Sequence, residues 1–257
     1  MLLPRPYCLS IAGFDPSGGA GVLADIKTFE AHKVVGMSVV TGLTFQNDSE
    51  FDSVKWIETD EILKQIHVLS RKFKFEFVKI GMIKNLENLE KIIADCRLQT
   101  ADCKIIWDPI IRSSAGFEIQ KNLSKEKIIE LCKRIYLITP NTDEIRILMN
   151  DSDEMKAANE LSQYCNVFLK GGHSESKKGR DFLFTSPLSN GEGSGVRSFR
   201  PKQISAFPKH GSGCVLSSAI AANLAKGETL HRSCLKAKNY VTEFLMSNKT
   251  LLGNHKL

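Results

Sequence analysis

The 257-residue chain has no C-x-x-C pair, and its seven cysteines (Cys8, Cys96, Cys103, Cys132, Cys165, Cys214 and Cys234) are scattered, with no histidine at metal-ligand spacing. That excludes a zinc ribbon and a disulfide scaffold and implies a reducing compartment. No stretch approaches the roughly 20 apolar residues that a membrane helix needs. The opening Met1-Leu2-Leu3-Pro4-Arg5-Pro6 lacks the apolar run of a signal peptide. The expectation is a cytoplasmic protein without a membrane partner. There is no Pro- or Ser-rich hinge, internal repeat or low-complexity block. The short Gly-rich piece Ser189-Asn190-Gly191-Glu192-Gly193-Ser194-Gly195 is of hairpin-loop size. A single domain over residues 1–257 is therefore expected.

Charge is nearly as uninformative. Lys and Arg number 35 against 29 Asp and Glu, a net charge of +6. The densest basic clusters, Arg71-Lys72-Phe73-Lys74 and Lys177-Lys178-Gly179-Arg180, lack the interleaved aromatic platform of a single-strand binder and match no nucleic-acid motif. They read as solvated surface, and no nucleic-acid partner is expected.

What is present is a rhythm of short apolar runs and amphipathic segments. Tyr7-Cys8-Leu9-Ser10-Ile11, Phe77-Val78-Lys79-Ile80, Ile105-Ile106-Trp107, Tyr136-Leu137-Ile138 and Val167-Phe168-Leu169 read as buried parallel strands. Between them, helices are expected from Thr59, whose face is Ile62, Ile66, Leu69 and Phe73, and near Glu87–Cys96, Ser124–Cys132 and Glu154–Tyr164. The alternation predicts an α/β fold around a mostly parallel sheet. Asp181–Thr185 and Val196–Arg200 flank the Gly-rich piece and suggest a late hairpin. In such a sheet ligands bind at the carboxyl ends of the strands, where Gly13, Met82, Asp108, Asn141 and Gly171 fall.

Two Gly-punctuated turns lie on this frame. Lys209-His210-Gly211-Ser212-Gly213-Cys214 runs straight into a small-residue helix, so backbone N–H groups and the positive helix end make a site for a phosphate or a developing oxyanion. A thiol there is expected to ionise more readily than a free one, so Cys214 is the candidate base. The bland alternative is a capped core helix with an inert cysteine. The other turn, Ala12-Gly13-Phe14-Asp15-Pro16-Ser17-Gly18-Gly19-Ala20-Gly21, has neither Walker A nor G-x-G-x-x-G spacing. Behind it, Asp25 is expected to face whatever the loop holds. Asp108, before Pro109, and Glu144, in Asn141-Thr142-Asp143-Glu144, are oxygen donors of the kind Mg²⁺ accepts. Without further context the favoured readings are a strand-terminating turn residue for Asp108 and a helix cap with its first-turn acid for Asn141 and Glu144. Gln46, ending a strand, can present a donor and an acceptor together; the bland alternative is a surface residue at a strand end.

The run from Ile11 through Ala-Gly-Phe-Asp-Pro-Ser-Gly-Gly-Ala-Gly to Ala24-Asp25-Ile26-Lys27-Thr28-Phe29, with Gly36–Asn47, closely resembles the hydroxymethylpyrimidine/phosphomethylpyrimidine kinases of thiamine biosynthesis. The resemblance continues, in order, through Lys79-Ile80-Gly81-Met82, Trp107-Asp108-Pro109, Leu137–Glu144, Leu169-Lys170-Gly171-Gly172-His173 and His210-Gly211-Ser212-Gly213-Cys214. It implies a ribokinase-like three-layer α/β/α fold with late antiparallel strands, ATP and Mg²⁺ as cofactors, a small pyrimidine substrate and a homodimer. It also implies Gly13, Asp25, Gln46 and Met82 against the pyrimidine, Asn141, Lys170 and Gly172 on the nucleotide side, and Asp108 and Glu144 at the metal. Gly211, Ser212, Gly213 and Cys214 are then the catalytic anion loop. Sugar kinases similar in this turn carry Asp where this chain has Cys214.

The chain departs from that pattern in places. Ser212 stands for the commoner Thr, Phe14 for Ser or Thr, and the C-terminal tail is short. Ile110-Ile111-Arg112 follows Asp108-Pro109 where Val-Met and small residues are usual, and Arg112 reads as solvent-facing. Pyridoxine or pyridoxal kinase, with the same ring-CH₂OH substrate shape, is the alternative activity. A non-catalytic descendant of the fold is disfavoured by Asp108, Glu144 and Cys214 occurring together.

Overall fold

Successive residues of a strand point to opposite faces, and in this chain each face meets its own core. Leu9, Ile11, Val78, Ile80, Ile105, Trp107, Val167 and Leu169 join one buried cluster, whereas Cys8, Phe77, Ile106 and Phe168 join another. The strands are therefore apolar on both sides, as a sheet covered by helices on both faces requires. The structure is a computed structural model, and it describes residues 4–113, 116–120, 123–171, 179–188, 195–200 and 207–256.

Among the described residues nine strands form one sheet in the order β3-β2-β1-β4-β5-β6-β7-β8-β9. They are β1 (Tyr7–Phe14), β2 (Val35–Gln46), β3 (Phe51–Trp56), β4 (Phe77–Ile80), β5 (Lys104–Trp107), β6 (Leu137–Ile138), β7 (Asn166–Leu169), β8 (Asp181–Thr185) and β9 (Gly195–Phe199). β2, β1, β4, β5, β6 and β7 run parallel, while β3, β8 and β9 pair antiparallel with their neighbours. The late hairpin is thus present as β8–β9. β3 was not foreseen: Phe-Asp-Ser-Val-Lys-Trp is a half-exposed edge strand with no apolar run to betray it.

The first core cluster packs under α2 (Thr59–Ser70), α3 (Leu86–Gln99), α4 (Lys125–Cys132), α5 (Thr142–Met149) and α6 (Glu154–Leu161). The second packs under α1 (Gly21–Ala31), α7 (Ser212–Ala225) and α8 (Leu230–Met246). Three layers result, as expected. α2 is capped from Glu58, without a side-chain bond, rather than by Thr59. Cys214 to Leu224 in α7 are all buried, so its small residues let it lie close on β1, β4 and β5.

The path from β1 through α1 leads to β2 on one side, and the next crossover, through α2, leads to β4 on the other. The chain therefore changes direction at β1, and a crevice opens between the carboxyl ends of β1 and β4. Gly13 sits there at a register shift between Ala12 and Phe14, and Met82 follows β4.

Candidate active site

The two Gly-rich turns touch at the head of this crevice. Gly211, the N-cap of α7, has φ +71°, and a Cβ on it would lie 2.0 Å from the Gly19 carbonyl oxygen. Only glycine meets both demands. Asp15 fastens the contact. Its buried carboxylate accepts from the N–H groups of Ser17 (2.9 Å), Gly19 (3.1 Å) and Ala20 (2.8 Å) and from His210 Nε2 (2.9 Å). Burial raises the Asp15 carboxyl, but the hydrogen bonds from His210, Ser17 and Ala20 outweigh it and hold it below the usual range. Sequence reasoning quoted Asp15 and His210 within motifs and gave neither a role.

Below the turns opens a cleft of about 750 Å³. Gly13, Gln46 and Met82 line one end, Gly211, Ser212, Gly213 and Cys214 the head, and Asp108, Asn141, Glu144 and Lys170 the opposite wall. Met82 packs so close to Gly13 that a Cβ there would fall 2.3 Å from its Cε. Its carbonyl accepts from Thr41 Oγ1 at 2.7 Å, which fixes the turn after β4. Gln46 stands at a register shift next to Phe45 in the β2–β3 ladder and is half-buried. Gly172 and the Lys177-Lys178 pair lie outside the described residues.

On the far wall Lys170 is the hub. Its Nζ is 2.8 Å from Asp108 Oδ1 and 3.8 Å from Glu144 Oε2, and a Cβ on Gly213 would lie 3.4 Å from it. The lysine therefore links both carboxylates to the start of α7. Burial raises Asp108, but Lys170, Lys79 and a hydrogen bond from Thr139 bring it below its ordinary value. Glu144 goes the other way: burial, with Asp108 adding to it and Lys170 opposing, leaves it at about 7. Asn141 and Glu144 also form a capping box on α5, with Asn141 N–H to Glu144 Oε2 at 2.7 Å and Glu144 N–H to Asn141 Oδ1 at 2.8 Å. Both residues serve the helix and face the cleft.

Asp25 requires a correction. It was expected against the pyrimidine, yet it is fully buried and does not line the cleft. Its carboxylate pairs with Lys79 Nζ (2.9 and 3.1 Å), itself fully buried, and accepts from Ser10 Oγ (2.5 Å) and Ser218 Oγ (2.6 Å). The cause is the inward turn of α1, which lays Asp25 on β1 and β4 beneath α7. The burial that disfavours Lys79's charge is outweighed by Asp25, Cys214 and Asp108, and its pKa rises. Lys79 had been read as part of an apolar strand.

The expected easy ionisation of Cys214 is also overturned. The helix end and Lys79 favour the thiolate, as does the Gly21 N–H, but burial dominates and Asp108 and Asp25 add repulsion, so the thiol is pushed up to about 11. Arg112, read as solvent-facing, is exposed but lines the cleft. Phe14 leaves the loop polar through its backbone, since its carbonyl accepts from Thr44 Oγ1 at 2.8 Å.

Among the described residues no group of three or more His, Cys, Asp or Glu forms a ready metal cage. Two carboxylates on one wall, one of them left close to neutral pH by burial and its anionic neighbour, suit a cation that takes one or two carboxylates and completes its shell with phosphate oxygens and water. Mg²⁺ is such a cation.

Comparison with known proteins gives consistent findings. Residues 15–256 match the family described as phosphomethylpyrimidine kinase. The hydroxymethylpyrimidine/phosphomethylpyrimidine kinase of Aquifex aeolicus is 33% identical over 256 residues, covering 95% of each chain. The crystal structure of phosphomethylpyrimidine kinase from Clostridium difficile superposes with a TM-score of 0.75 at 31% identity, covering 93% of this chain and 99% of the other. Bacillus subtilis pyridoxal kinase, solved as an ADP complex, superposes with a TM-score of 0.77 at 27% identity, covering 94% and 92%.

Proposed function

The chain belongs to the phosphomethylpyrimidine kinase family, and from that premise we propose that it transfers phosphoryl groups from ATP to 4-amino-5-hydroxymethyl-2-methylpyrimidine and then to the monophosphate so formed. It is a kinase with a ribokinase-like fold. The observation that carries the reading is the meeting, in one cleft, of an acceptor end (Gly13, Gln46, Met82) with the N-terminus of α7 and the Lys170–Asp108–Glu144 wall.

Phosphoryl transfer asks a protein mainly to align donor and acceptor and to stabilise spread negative charge. Gln46 reads the polar edge of the ring, while Met82 and the Gly13 backbone hold its face. The hydroxymethyl group then points to the head of the cleft, where the N–H groups of Gly211 to Cys214 cradle the transferring group with the helix dipole behind them. Lys170, Asn141 and Gly172 serve the nucleotide phosphates. Asp108 and Glu144 would hold Mg²⁺, which would neutralise phosphate charge when bound.

Cys214 takes the hydroxyl proton. At pH 7 a thiol with a pKa of about 11 is ionised in only about one molecule in 10⁴. Only that thiolate fraction, formed by loss of the thiol proton to water, accepts the hydroxyl proton, and it does so as bonding to phosphorus develops.

We further propose a single catalytic domain working in the cytoplasm as a homodimer, without nucleic acid. All seven cysteines are free, and among the described residues no helix is long and apolar enough to cross a membrane. Sedimentation velocity tests the dimer. The deciding assay incubates the protein with ATP, Mg²⁺ and the pyrimidine alcohol, its monophosphate or pyridoxal, and resolves the mono- and diphosphate products. Sequential appearance of pyrimidine mono- and diphosphate is expected. Turnover of pyridoxal alone would replace this reading with the pyridoxal kinase one.

A further inference from the structure

Four Lys and Arg side chains line the cleft among the described residues: Arg112, Lys170, Lys209 and Lys238. Three are already committed. Lys170 pairs with Asp108 at 2.8 Å, Lys238 with Asp181 at 2.6 Å, and Lys209 Nζ donates to the carbonyls of Thr250 (2.6 Å) and Asn248 (2.7 Å). Among the described residues the Arg112 side chain has no hydrogen-bond or ion-pair partner. It is the cleft cation left over for a ligand.

Its position says which ligand. Arg112 belongs to a small hairpin in which its backbone bridges Glu118, Ile119 N–H reaches Ile111 O at 2.8 Å and Ser113 N–H reaches Phe117 O at 2.9 Å. Phe117 of that hairpin stacks on Phe51, with ring centroids 4.6 Å apart and planes 24° from parallel. Phe51 is the ladder partner of Gln46. The hairpin is thus anchored over the acceptor end of the same cleft whose head is the α7 N-terminus.

The two acceptors differ in charge where this matters. The alcohol is neutral, whereas a phosphate monoester with a second pKa near 6 carries about −1.5 to −2 at pH 7. A cleft that admits both needs one cation not already spent on a carboxylate or carbonyl, and a guanidinium offers a fork that matches phosphate oxygens. Resting on the two-transfer reading above, we propose that Arg112 binds the phosphate carried by the second acceptor and so sets the preference between monophosphate and alcohol.

The test is calorimetric titration of the alcohol and the monophosphate into wild type, Arg112→Ala and Arg112→Lys, with thermal unfolding as the folding control and the KM for ATP measured alongside. In Arg112→Ala the Kd for the monophosphate is expected to rise roughly ten- to a hundredfold more than that for the alcohol, the scale of a lost charge-assisted hydrogen bond. Arg112→Lys should recover part of the loss, and added salt should narrow the difference between wild type and Arg112→Ala. Equal changes for both acceptors, or a loss that falls on ATP instead, would overturn the proposal while leaving the kinase reading intact. A wild type that binds neither acceptor would overturn both.

Discussion

His210 Nε2 lies 2.9 Å from Asp15 Oδ2, across 195 residues of chain, with both side chains buried. The bond joins the loop behind the acceptor to the loop at the head of α7, so the two partners of a transfer are held on one unit. Among the described residues His210 Nδ1 is buried without a partner, and the bond to Asp15 and packing against Gly19 hold the ring.

Asp15 has a folded-state pKa below its ordinary value. The folded protein then binds the proton more weakly than the unfolded chain, so the stabilisation is full above about pH 4 and is lost as pH falls through the folded value. Asp15→Asn is expected to lower the unfolding free energy at pH 7 by about 1.5–3 kcal/mol, as for hydrogen bonds to a charged group. Denaturant titrations at pH 7 and about pH 3 should show the gap between variant and wild type shrinking in acid; an unchanged gap would remove the charge from the explanation.

Asp25→Ala would strand Lys79, a fully buried cation. Breaking one side of such a pair costs roughly 3–5 kcal/mol, whereas replacing both partners by apolar groups is often nearly neutral. The double variant Asp25→Ala/Lys79→Met should therefore be more stable than Asp25→Ala alone. If Asp25→Ala keeps its melting temperature and only raises the KM for the pyrimidine, the substrate role returns.

Cys214 tests both its ionisation and its task. With a pKa of about 11, labelling of its thiolate by iodoacetamide, followed peptide by peptide, should accelerate about tenfold per pH unit from pH 7 to 10. A plateau near neutrality would restore the easily ionised thiol. Cys214→Ala should slow phosphorylation of the alcohol by roughly 10² to 10⁴, the usual share of a positioned acid–base group. The monophosphate acceptor is already ionised and should lose much less. Equal losses in a folded variant would make Cys214 a wall of the anion loop and not a proton acceptor.

Asp108→Asn preserves shape while removing the charge opposite Lys170. A higher Mg²⁺ requirement and a lower kcat are expected, with pyrimidine binding in the absence of ATP close to wild type. Calorimetry with the pyrimidine alone checks this, and lost binding in the folded variant would contradict the placement of Asp108 on the donor side.

Much of this protein was legible along the chain because it depends on neighbours in sequence. Short apolar runs at Val78, Ile105 and Val167, helical spacing at Ile62 and Ile66, and Gly-Ser-Gly before a small-residue helix each specify local structure. Their order implied the sheet, the strand ends that bear the site and the resemblance to a kinase family. What a side chain does once folded depends on what arrives from elsewhere. Ser218 comes 193 residues after Asp25 and donates to its carboxylate in the core, and burial of Cys214, with Asp108 and Asp25 adding repulsion, reverses the effect of its helix end. The stack of Phe51 on Phe117 brings the hairpin that bears Arg112 to the Gln46 end of the cleft. Strands and turns follow from local backbone geometry. Burial, ionisation and free cations follow from long-range packing, which only the tertiary structure decides.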